Sequence, residues 1–175
     1  MSDLLDYCAT TAIWTSGKCC EVRVGDHVTR YVRRGSGSPV VVVGANADRN
    51  GVWAPLVDAL AGSHRLVIPQ LPPSEPDMAS WLRSFIEGVG LSSVALIAGG
   101  RTQTEAISLA AGDDFTIRKL VLVGDSESIG ANGASLDSKA STSDSSRTLR
   151  VLANWQPGEA VERVQRFIAL DGAGG

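Results

Sequence analysis

Histidine is almost missing from this chain. Only His27 and His64 occur among 175 residues, so the commonest general base and metal ligand at neutral pH has two chances to act. Cysteine is nearly as scarce, with Cys8, Cys19 and Cys20. The adjacent pair could bond to each other only through a strained ring, and none of the three has the C-x-x-C spacing that suits a metal. No metal and no cofactor is therefore expected, and reduced, partly buried thiols are the reading for the cysteines. Positive charge is not in excess either. A net charge of -3 gives no basic field, which argues against nucleic acid as a partner.

Long apolar runs are absent as well. The longest, such as residues 40–43 and 94–98, fall far short of the roughly 20 residues that cross a bilayer. The chain opens Met1-Ser2-Asp3-Leu4, without the charged and apolar segments of a secretory leader. No membrane contact and a cytoplasmic location are the expectations. Glycine-rich phosphate motifs are missing too: Gly35-Ser36-Gly37 and Gly99-Gly100 are too short and misplaced for a dinucleotide fingerprint, and there is no P-loop.

What is present is an ordinary globular composition, 43% apolar, in a chain of single-domain length, residues 1–175. Residues 4–14 have near-helical apolar spacing, within an N-terminal helical segment spanning 1–19. Residues 20–24 and 27–33 alternate apolar with polar around Gly25-Asp26, a hairpin. Then the rhythm changes. Residues 40–43, 65–68, 94–98 and 119–123 are continuous β-branched or aliphatic runs, the mark of strands buried on both faces. Between them lie amphipathic helices at 53–61, 77–87 (with Asp77 as N-cap) and 102–111. Such a βαβ series predicts a mostly parallel sheet with helices on both faces, preceded by an antiparallel hairpin. Residues 126–147 are serine-rich and have almost no large apolar side chains, so they read as a flexible loop. Residues 149–153 and 158–170 suggest a last strand and helix. Trp53 and Trp81 fall on apolar helix stripes and are expected in the core, whereas Trp14 and Trp155 are less constrained.

The order of these elements and the residues at their junctions resemble the α/β-hydrolase fold family. The run from Val40 to Trp53 resembles that family's third strand and first helix. Arg65-Leu66-Val67-Ile68-Pro69-Gln70-Leu71-Pro72 resembles the next strand and loop, and residues 91–111 are similar to the strand and helix that carry the nucleophile. The resemblance covers residues 20–125 well and 148–170 loosely, and it implies a shortened α/β-hydrolase-like fold without a cap domain.

Where the family has G-x-S-x-G on a sharp strand-to-helix turn, this chain has Ala98-Gly99-Gly100-Arg101-Thr102. The nucleophile position thus falls on Gly100, which can form no covalent intermediate. The family draws its general base from a late histidine, and none follows His64 here. His27 and His64 are both expected at the sheet edge away from the turn. The histidine–glycine pair after the first buried strand is replaced by Gly44-Ala45. Asp125 stands where some members place an acid, with no imidazole for it to orient. The resemblance leaves one part of the machinery intact, because backbone N–H groups build it. Ala45 or Asn46, with Arg101, match the oxyanion positions, and the Arg101 guanidinium could add a charge-assisted contact. The expectation is a non-catalytic, small-ligand-binding or oligomerising subunit, taking a small anionic or carbonyl ligand and pairing as a homodimer over an exposed edge. The alternative is an enzyme with altered chemistry: a hydrolase using Asp125 and water, or an isomerase or cyclase using the amide donors.

Overall fold

A computed structural model of the chain describes residues 17–45, 53–72, 77–112, 117–124, 148–152 and 157–169. Its centre is a seven-stranded sheet in the order β1-β2-β4-β3-β5-β6-β7. The strands are β1 (Lys18–Val24), β2 (His27–Arg34), β3 (Ser38–Val43), β4 (His64–Pro69), β5 (Val94–Gly99), β6 (Ile117–Gly124) and β7 (Thr148–Leu152). The β1–β2 hairpin is antiparallel and joins the sheet by antiparallel pairing of β2 with β4. All remaining pairings are parallel. Among the described residues, four helices cross between or follow these strands: α1 (Trp53–Ala61), α2 (Met78–Gly88), α3 (Gln103–Ala111) and α4 (Pro157–Ala169).

The unbroken apolar runs now have their physical reason. Val40 and Val42 pack under α1 and α4 with Trp53, Leu56, Leu60 and Val164. Val41 and Val43, one residue out of phase, face α2 and α3 with Trp81, Phe85, Ile86 and Leu109. A strand wedged between two helical layers has no polar face, so its period of two disappears from the sequence. Side chains such as Phe85 and Leu56, almost wholly buried, each stabilise the fold by roughly 1.5–3 kcal/mol over exposure. Trp53 and Trp81 are core residues, as their helix positions predicted, and Trp81 stacks on Phe85 with ring centroids 5.6 Å apart. Asp77 caps α2, its carboxylate accepting from the Ser80 N–H at 2.9 Å.

One of the two hairpin cysteines departs from expectation. Cys19 is disulfide-bonded rather than reduced, while Cys20 keeps a free thiol. Neighbours on a strand point to opposite faces. Cys19 packs toward the α1–α4 side, and Cys20 lies across from Tyr31 on β2. There burial, the nearby Cys20 and a hydrogen bond with it push the Tyr31 phenol above its ordinary pKa, against a smaller lowering by Arg33. Residues 1–16, including Cys8 and Trp14, lie outside the described residues, as do the serine-rich loop and Trp155. Among the described residues no helix is long and apolar enough to cross a membrane.

Candidate functional site

The carboxyl ends of β3, β5 and β6 meet at the turn that the sequence singled out. β5 is buried along its whole length and ends at Gly99 in extended backbone, φ -136° and ψ 163°. The chain then reverses at Gly100, φ +57°, into a 3-10 turn (Gly100–Thr102) that runs straight into α3. Left-handed backbone at the junction is the sharp bend that glycine adopts without strain. Gly100 is exposed, and nothing lies within 4 Å of where a Cβ would sit.

The neighbouring glycines are needed for a different reason. A Cβ on Gly99 would run into the Trp53 ring and stand 3.1 Å from the Val123 carbonyl oxygen. Gly44, at φ +80°, lies so close that its Cβ would collide with the Gly99 carbonyl and stand 2.9 Å from Thr102 Oγ1. The loop after β3 is thus pressed against the turn after β5. Ala45, one of the proposed amide donors, is buried at that contact.

Three side chains fix the turn. The buried Thr102 hydroxyl donates back to the Gly99 carbonyl at 2.9 Å. Gln103, also buried, donates from Nε2 to the Val123 carbonyl at 2.9 Å, tying α3 to the end of β6. Arg101 is exposed, and its Nη2 donates to the Pro72 carbonyl at 3.1 Å. The guanidinium expected to reach for an anion is therefore engaged with the loop after β4. Helical spacing predicts only that Thr102 and Gln103 open a helix. A signal for them did exist: two polar, hydrogen-bonding side chains directly after a run of small residues at a helix start.

The two histidines do not gather here. His64 opens β4 at the amino edge of the sheet, its Nδ1 2.9 Å from Ser63 Oγ. His27 was expected at that same edge, and its placement is a correction. β2 runs antiparallel to β4, with Tyr31 opposite Pro69, so His27, earlier on β2, projects past the carboxyl end. Even so, β4 and β3 intervene between β2 and β5, which puts it three strand spacings, roughly 14 Å, to the side. Asn46 and Asp125 lie outside the described residues. Among the described residues, no three His, Cys, Asp or Glu side chains come together as metal ligands would.

No protein-family model matches the chain, and no curated protein sequence matches it either. Solved structures do. Epoxide hydrolase VrEH1 from Vigna radiata is 17% identical over 62% of this chain and 40% of its own, with a TM-score of 0.53. ALR0039 from Nostoc sp PCC 7120, described as an alpha/beta hydrolase, is 19% identical over 62% of this chain and 43% of its own, with a TM-score of 0.52. A membrane phospholipase A, described as a bacterial virulence factor, is 17% identical over 70% of this chain and 47% of its own, with a TM-score of 0.53. The fold is α/β-hydrolase-like, as the junction residues suggested. The chain spans less than half the length of these three proteins.

Proposed function

We propose that this chain is a non-catalytic α/β-hydrolase-like protein that binds a small anionic or carbonyl ligand over Gly100. One observation carries the reading: the sharp turn at the end of β5 keeps its left-handed backbone and the open space above it, and bears no side chain. Such a turn can receive a ligand but has nothing with which to attack it. In this reading the ligand oxygen is met by backbone N–H groups of Arg101 and of Ala45 or Asn46, near the start of α3, where the helix dipole favours negative charge. The Arg101 side chain, engaged with Pro72, stiffens the rim. No histidine follows His64 in the chain, and Asp125 is assigned no role in this reading.

The test combines binding with turnover. Short ketones and butyrate, titrated while the amides of residues 99–103 are followed by NMR, should give saturable shifts. Gly100→Asn should abolish those shifts by filling the space, since asparagine tolerates left-handed backbone. Short p-nitrophenyl esters should be hydrolysed no faster than in buffer. A second reading, an enzyme that activates water without a covalent step, is favoured by the hydrolase names of the structural neighbours. Ester or epoxide hydrolysis that disappears in Asp125→Ala would establish that reading and end the first.

Self-association belongs to the same proposal. β1 terminates the sheet order, and Val28, on the adjoining β2, is 57% exposed. Pairing of two β1 edges would cover the open edge. Sedimentation showing only monomer at micromolar concentration would remove this part while leaving the ligand site untouched.

A further inference from the structure

The strands that end at Gly100 begin at a second concavity. At the amino edge of the sheet, on the α1–α4 side, a cavity of about 150 Å³ is lined by Ser38, Val40, His64, Ala95, Arg118 and Ile168, among others. At about 30 Å³ per water it has room for roughly five waters' worth of ligand. Val40, Ala95 and Ile168 form an apolar wall continuous with the core. Ser38 and His64 face each other in the β3–β4 register.

Arg118 reaches this cavity through an irregularity. Val94 pairs with Ile117 and Ala95 pairs with Lys119, so Arg118 has no partner on β5. The bulge also explains why Ile117 and Leu120, three residues apart, both pack on the α2–α3 side, which a regular strand would forbid. A bulge re-aims the residue it frees. Here that residue lines the cavity, and its Nε is buried without a hydrogen-bond partner. Among the described residues, those that line the cavity include no carboxylate. The last turn of α4, at Ile168 and Ala169, brings the negative end of a helix dipole, worth about half a charge. A whole guanidinium charge outweighs it.

We propose that this amino-edge cavity binds a small oxyanion, a short-chain carboxylate or inorganic phosphate. The Arg118 guanidinium is its principal donor, with the His64 ring and Ser38 hydroxyl alongside. An apolar wall beside a cation suits a carboxylate carrying a short alkyl tail, and a bare phosphate uses the cation alone. The site is separate from the one over Gly100 and does not depend on it.

The test titrates the full-length protein with butyrate and with sodium phosphate, ionic strength being held with chloride. Amide shifts at Val40, Ala95 and Arg118 and the Arg118 side-chain Nε–H resonance are followed by NMR. Saturable shifts at these positions, with butyrate or phosphate, are expected; the tighter of the two identifies the ligand class. Arg118→Met should weaken the binding by at least about tenfold, whereas Gly100→Asn should leave it unchanged. Should Arg118→Met fail to fold, the wild-type Nε–H resonance still decides, because a bound oxyanion must move it. Absence of saturation with either anion, or equal affinity in folded Arg118→Met, overturns the proposal.

Discussion

Alanine substitutions at three neighbouring glycines should carry three different costs, and the differences follow from geometry. Gly100 is left-handed with open space around the missing Cβ, so Gly100→Ala has only the backbone penalty, about 1–2 kcal/mol. Gly99 is extended, so Gly99→Ala has no backbone penalty. It instead drives a methyl into the Trp53 ring and toward the Val123 carbonyl, an overpacking cost of about 1–3 kcal/mol. Gly44 carries both burdens, with φ +80° and a Cβ directed at the Gly99 carbonyl. Gly44→Ala should therefore cost about 2–5 kcal/mol. Urea denaturation followed by tryptophan fluorescence reads this out. With a slope of about 2 kcal/mol per molar, the midpoint should fall by about 1–2.5 M for Gly44→Ala and by about 0.5–1 M for Gly100→Ala. Combining Gly99→Ala with Trp53→Leu should cost about 1 kcal/mol or more less than the sum of the two singly, because the smaller side chain removes the collision. The reasoning is refuted if Gly44→Ala is no more costly than Gly100→Ala, or if the Gly99 and Trp53 changes simply add.

Thr102→Val should cost about 1 kcal/mol, the net worth of its bond to Gly99. Gln103→Leu should cost about 1–3 kcal/mol by leaving the Val123 carbonyl without its buried donor; thermal melts compare the two directly. The Tyr31 phenol should titrate above the ordinary value of about 10 in ultraviolet difference spectra, and Cys20→Ser should bring it partway back. A raised pKa stabilises the fold fully below the unfolded value, and that contribution is lost as pH rises through the folded one. Tyr31→Phe should accordingly flatten the alkaline decline in stability.

The strands were the most legible part of this fold. Four stiff apolar runs with helices between them admit few arrangements, and both the hairpin and the parallel sheet could be read from them. The site was legible only as a turn. Gly100 could be placed from the small residues around it, but the contact of Gly44 with Gly99 could not, because it joins loops far apart in sequence. The engagement of Arg101 with Pro72 was hidden for the same reason. His27 was misplaced because the direction of β2 depends on which strand it pairs with, and alternation alone does not say. The bulge at Arg118 left a trace, a broken spacing between Ile117 and Leu120, although apolar residues crowd β6 so densely that the missed beat was masked.

The seating of Gly44 on the Gly99 carbonyl has one more consequence. Residues 44–45 and 99–100 form two lips of the same mouth, and with no gap between them neither can swing without dragging the other. A ligand bound over Gly100 as proposed would enter beside this fixed contact. Discrimination among guests would come from their fit to that fixed frame, and a tighter guest would gain little from any closing motion there.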